Sequence, residues 1–164
     1  MKRPRAVIRA ARIVILLGVV LTVALFLRGH STLTIPPGDT SMEPTYPAGS
    51  KVILDNLDED DPIERGMDVV YSMDLDGVSY ARFGRVQGLP GDVVGVAQGH
   101  LAVNGALVGP ARIPGPSKAV GRIPPGEYLV LAINPGEGAY KDSRELGFIP
   151  RERIRARIRA SIGG

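Results

Sequence analysis

The hydrophobic positions of this chain fall into two regimes. From Ile13 to Leu27 fifteen residues run without a charge, and Ala10 and Ala11 extend the apolar character across Arg12. With the Arg12 stem snorkelling, the run approaches the roughly 20 apolar residues of a membrane-spanning helix. Beyond it, short apolar runs alternate with turn residues, which predicts strands over Lys51–Leu54, Val69–Met73, Val78–Val86, Val93–Ala97, Leu101–Val103, Ala106–Val108, Tyr128–Ile133 and Ile154–Ile158. Asn104-Gly105 is the strongest hairpin signal, because both residues accept the positive φ of a type I′ turn. Ser31–Gly38 reads as a polar linker and Pro110–Gly126 as an irregular loop, with no repeat and no amphipathic helix after the apolar run. The expected fold is mainly β: an N-terminal transmembrane helix followed by a compact, mostly antiparallel β-domain. Its divisions are a cytoplasmic basic segment (1–12), an anchor (13–28) and an extracytoplasmic β-domain (29–164).

Composition sharpens that picture. Gly (21) and Pro (14) together exceed a fifth of the 164 residues, which favours short strands and turns over long helices. Cysteine is absent, so neither disulfides nor thiolate metal sites can hold the fold; with only His30 and His100, no metal site is expected. The net charge of +3 is gathered at the ends, in Lys2, Arg3, Arg5, Arg9 and Arg12 and again in Arg151, Arg153, Arg155, Arg157 and Arg159. That distribution suits anionic lipid head groups and gives no reason to expect nucleic acid. In the tail the five arginines are expected to share one face of a strand as a solvated edge or a lipid contact, with Ile154 and Ile158 buried on the other.

A basic start and a short apolar core also describe a cleaved secretory signal, but no small-x-small pattern closes the run, which favours an uncleaved anchor. Five basic residues precede the span and Arg28 alone follows closely, placing the N-terminus in the cytoplasm and everything from about Ser31 outside.

Three stretches carry more than scaffold: Gly38-Asp39-Thr40-Ser41-Met42-Glu43-Pro44-Thr45, Gly84-Arg85-Val86-Gln87-Gly88-Leu89-Pro90-Gly91-Asp92, and Lys141-Asp142-Ser143-Arg144-Glu145-Leu146-Gly147. In order and spacing they resemble the signal peptidase I family, including the conjugative-transfer signal peptidases. The resemblance runs from about Ile35 to Arg159 and implies a β-domain of signal peptidase type needing no cofactor. It implies Ser41 as nucleophile, Thr40 and Met42 at the oxyanion site and substrate groove, and Pro44, Asp142 and Arg144 as structural support. Met42 could equally be an ordinary core residue, and Ser41 alone would read as a turn residue between Gly38 and Pro44. Gly88–Asp92 reads as a structural turn.

The chain departs from the family where the general base should be. The family's lysine directly precedes the residue matched by Arg85, and here that position is Gly84. Arg82 shares the strand face but keeps its proton and cannot serve. Lys141 is the candidate base, with Gly84 read as the vacancy that lets it approach Ser41. Tyr140 stands where the family has a serine, and Asp39 stands where many bacterial relatives have an oxyanion-binding hydroxyl. A carboxylate there repels an oxyanion, so Asp39 is expected to point away.

The implied function is a membrane-anchored serine endopeptidase that cleaves signal peptides or precursors of exported proteins. Its partners are those precursors and membrane lipid. The alternative is a catalytically silent relative that binds extended peptides by strand addition. A self-cleaving repressor does not suit the anchor or the lack of a DNA-binding domain. For the topology, protease added to intact spheroplasts is expected to degrade the domain after Ser31; full protection overturns the orientation.

Overall fold

The computed structural model describes residues 4–109, 117–134 and 141–162. Helix α1 (Pro4–Gly29) leads directly into strand β1 (His30–Thr34). There follow β2 (Lys51–Asn56), β3 (Asp68–Leu75), β4 (Val78–Gly88), β5 (Val93–Ala97), β6 (His100–Val103), β7 (Ala106–Val108), β8 (Gly121–Arg122) and β9 (Glu127–Leu131). Then come the single-turn helix α2 (Ser143–Leu146), β10 (Ile149–Pro150), a 3₁₀ turn (Arg151–Arg153) and β11 (Ile154–Ile162). Among the described residues they form a seven-stranded sheet in the order β1-β2-β11-β3-β4-β9-β10 and a four-stranded sheet in the order β7-β6-β5-β8. Each pairing is antiparallel.

Alternation and turn chemistry explain most of this. Along β3 and β4, Val70 and Phe83 pack into one core cluster with Ile35, Met42, Val52 and Ile158, while Val69, Tyr71 and Val86 pack into a second with Val130, Ile149 and Ile154. The large sheet is thus covered on both faces. A third cluster joins Leu129 and Leu131 of β9 to Val94, Leu101 and Val103 of the small sheet. Asn104 and Gly105 both take positive φ, 51° and 85°, as the hairpin between β6 and β7 requires. The Gly88–Asp92 turn links the sheets, with Asp92 accepting hydrogen bonds from the Leu89 amide at 2.7 Å and Asn104 Nδ2 at 2.7 Å. Burial alone would raise the Asp92 carboxyl, but these bonds and that from Arg65 hold it below the usual carboxylate range.

Several expectations need correction. The polar linker begins as β1, and the loop before Gly126 contains β8; residues 110–116 of that loop lie outside the described residues. The segment expected to span the membrane is helical. Among the described residues, however, no helix is long and apolar enough to cross a membrane. The charge-free run within α1, Ile13 to Leu27, is fifteen residues, short of the roughly 20 that a span takes. The arginine tail is not an edge: β11 lies between β2 and β3, and Arg151 and Arg153 belong to the 3₁₀ turn that precedes it. Ile154, Ala156 and Ile158 are buried, as the alternation requires.

Two of the tail arginines are held by one carboxylate. Asp55 accepts from Arg157 Nη2 at 3.0 Å and from Arg159 Nε, and His30 Nε2 lies 3.2 Å from its other oxygen. Burial would raise the Asp55 carboxyl, but the hydrogen bonds and charges of Arg159 and Arg157 outweigh it and lower it. A depressed folded-state value contributes stability above the unfolded value that is lost as pH falls through the folded one. Asp55→Asn is therefore expected to melt at a lower temperature than the wild type at neutral pH. The gap should close on acidification below about pH 4, near the ordinary carboxylate value; a gap independent of pH overturns the assignment.

Candidate functional site

The first of the three stretches is a closed loop. Ile35 N–H donates to Ser50 O at 2.9 Å and Gly49 N–H to Ile35 O at 3.0 Å, pinning the ends of the 35–50 segment together. Inside it, Glu43 N–H donates to Thr40 O at 3.1 Å and Tyr46 N–H to Met42 O at 3.0 Å, which winds the chain into consecutive turns at Ser41. Met42 fastens the loop from below. At 1% exposure it sits in the core with Phe83 and Val70, so its side chain anchors the loop. Thr40 and Pro44 are exposed, and Ser41 is half-buried.

A second fastening lies at Tyr46, whose hydroxyl donates to Asp68 Oδ2 at 3.1 Å while Arg85 grips the same carboxylate through Nε at 2.7 Å and Nη2 at 2.9 Å. Burial, then the Asp68 charge, pushes the Tyr46 hydroxyl up to about 12, so it remains a donor. Arg85, the arginine of the second stretch, thus holds the serine loop onto β3 and β4. A third contact comes from just past β9, where Asn134 N–H donates to Ser41 O at 2.9 Å.

The stretch after Tyr140 is built around a buried ion pair; Tyr140 itself lies outside the described residues. The side chains of Asp142 and Arg144 are 2% and 6% exposed, and Arg144 Nε donates to both Asp142 oxygens at 3.0 and 3.1 Å. Asp142 also accepts from the amides of Ala132 at 2.8 Å and Arg144 at 2.9 Å, and Ser143 Oγ accepts from the Val130 amide at 2.9 Å. Charges this deep are tolerable only when paired and hydrogen-bonded, as both are here.

Tyr71 connects the two halves of the site. It lies opposite Arg82 in the β3–β4 register, and its hydroxyl donates to Lys141 O at 2.6 Å. Burial, reinforced by the Asp142 charge, pushes that hydroxyl far above its ordinary value, so it serves as a fixed neutral donor. Nothing in the sequence marked Tyr71 out from other buried strand residues, because its role follows from register. The backbone of Lys141 is thereby held at the site, but its ammonium turns to Glu145 Oε2 at 3.2 Å, one helical turn along. Asp39 does not point away. Its Oδ1 accepts the Ser41 amide at 3.0 Å and its Oδ2 lies 3.8 Å from Arg82 Nη1. Among the described residues no group of three or more His, Cys, Asp and Glu side chains is placed to hold a metal ion.

Gly84 is not a vacancy. A Cβ there would lie 2.6 Å from Val130 Cγ1 and 3.2 Å from Leu131 O, so β9 already fills the space. Gly84→Ala is expected to cost about 1–3 kcal/mol in urea unfolding, the range for overpacking. In a Val130→Ala background the added cost should fall well below that. Equal costs in both backgrounds would show that Val130 is not the obstacle.

Comparison with known proteins adds three findings. A family model described as signal peptidase, peptidase S26, matches residues 8–162. A probable signal peptidase I-2 of Synechocystis sp. is 36% identical over 132 residues, covering 72% of this chain and 57% of the relative, so the chain spans less than two thirds of that relative's length. The crystal structure of a signal peptidase I from Enterococcus faecalis V583 aligns at 20% identity over 60% of this chain and 98% of that one, with a TM-score of 0.45.

Proposed function

Because this chain belongs to the signal peptidase family, peptidase S26, we propose that it is a serine endopeptidase that removes signal peptides from precursors of exported proteins. The observation that carries this reading is the family match over residues 8–162, which takes in the Ser41 loop and the Asp142–Arg144 cluster together. Ser41 Oγ attacks the scissile carbonyl and gives up its proton, the amine leaves with a proton, and water hydrolyses the resulting ester. Amide N–H groups at Thr40 and Ser41 stabilise the oxyanion. No cofactor enters. Lys141 is the proposed base and acts only as the neutral amine, so it must lose its ammonium proton and leave Glu145 before its lone pair can receive the serine proton.

Helix α1 is the proposed anchor, with its N-terminus cytoplasmic and the β-domain outside the inner membrane. Its support is the charge-free run from Ile13 to Leu27 and the solvent exposure of Ile13, Val14, Leu16 and Val20. An exposed apolar helix needs an apolar surrounding.

A second reading is favoured by a specific observation: Gly84 supplies no amine, and Asp39 occupies the Ser41 amide. In that reading the protein binds extended peptides without cutting them. The two separate when the full chain in proteoliposomes is incubated with a model exported precursor. Cleavage at one site is expected, with Ser41→Ala inactive and Lys141→Ala down by about 10³-fold or more, since partners in one catalytic unit fail together. Glu145→Gln should retain or raise the rate. Peptide binding without cleavage selects the second reading, and cleavage unchanged by Lys141→Ala removes Lys141 as the base.

A further inference from the structure

The Ser41 amide is the donor nearest in the chain to the nucleophile, and it is already taken. Asp39 Oδ1 accepts it at 3.0 Å. An oxyanion forming at Ser41 needs that N–H, and a carboxylate in the same place both excludes the oxyanion and repels it. For the site to turn over, Asp39 has to leave.

The structure also offers it a destination. Asp39 Oδ2 lies 3.8 Å from Arg82 Nη1, too far for a hydrogen bond but within strong attraction, with the two side chains 10% and 33% exposed. Arg82 Nε is buried and has no hydrogen-bond partner, so the guanidinium is not fully engaged where it stands. A carboxylate that rotates off the Ser41 amide can close on Nη1 and take Nη1 and Nη2 together, the end-on fork of the guanidinium. The register of β3 against β4 sets Arg82 opposite the buried Tyr71, so the receiving group is mounted on the sheet while Asp39 rides on the loop.

We propose that Asp39 is a displaceable plug on the Ser41 amide and that Arg82 is the positioning residue that receives it when an extended peptide enters, so that the site opens only around substrate. This rests on the reading of Ser41 as nucleophile. The step is a side-chain rotation in which no covalent bond changes.

The test uses the full chain in detergent micelles and a peptide boronic acid ending in alanine, which captures a serine hydroxyl as a tetrahedral adduct. Asp39→Ala and Asp39→Ser are expected to speed adduct formation about tenfold, and Arg82→Gln to slow it about tenfold in the wild-type background but less than about twofold in Asp39→Ala, the signature of two coupled residues. Arg82→Lys, lacking the fork, should not restore the wild-type rate. Circular dichroism and thermal melting check that each variant folds. A folded Asp39→Ala that reacts no faster shows a turn that only shapes the loop, and overturns the plug. An Arg82→Gln effect equal in both backgrounds overturns the receiving role. An adduct whose rate ignores Asp39 sinks this proposal alone. No adduct in folded wild type and Asp39→Ala alike sinks the nucleophile reading and the proposal with it.

Discussion

Val130 and Ala132 lie in and just beyond the buried strand β9, and their amides are satisfied by two side chains from the 142–144 segment, Ser143 Oγ and Asp142 Oδ2. A buried amide left without a partner costs about 1–3 kcal/mol, so these bonds weld a segment with little regular structure of its own onto the sheet. Everything at the site is referred to that weld. Arg144 neutralises the carboxylate that makes it, the Tyr71 hydroxyl ties Lys141 O across from β3, and the Asn134 amide just past β9 holds Ser41 O. The serine loop and the segment after Tyr140 are both bonded to backbone amides in and just past β9.

The β character of the chain was legible because alternation survives wherever a strand buries one face, and the Asn104-Gly105 turn because few residues tolerate φ near 51° and 85°. What escaped were elements too polar or too short to alternate. His30–Thr34 pairs with β2 while showing a mostly exposed surface, and the two-residue strands β8 and β10 depend on partners distant in sequence. The arginine tail misled for a related reason. Period-two charge looks the same on an edge strand and on a central one whose outward face is wet, and only the pairing to both β2 and β3 separates them.

At the site the sequence named residues but not their partners. Ser41, Asp142 and Arg144 stood out only through the resemblance of their stretches to a known family, while the i,i+4 relation of Lys141 to Glu145 was there to be read. Gly84 could not be read. A missing side chain suggests space, yet glycine in a strand often marks the close approach of a neighbour, and here Val130 Cγ1 stands where the Cβ would point. The pairing of Asp39 with Arg82 joins residues 43 apart in the sequence through loop closure and strand register, and neither leaves a local pattern.

Two contacts then set the resting chemistry of the site, and both hold groups that acyl transfer would need elsewhere. The Lys141 ammonium is on Glu145, with the side chains 34% and 42% exposed, and the Ser41 amide is on Asp39. An exposed pair of the first kind is worth about 0–1 kcal/mol, so releasing Lys141 asks little of a binding peptide. The second contact is partly buried and charge-assisted, worth about 1.5–3 kcal/mol, and its loss must be offset where the carboxylate lands. The Arg82 guanidinium supplies that offset, since its hydrogen bonds to the carboxylate are gained only when Asp39 moves. Such a site is quiet when empty because its stabilising contacts and its reactive arrangement compete for the same amide. On the proposed reading it becomes competent through a change of partners for which the Ser41 loop, clamped at Tyr46, Met42 and Asn134, need not itself move.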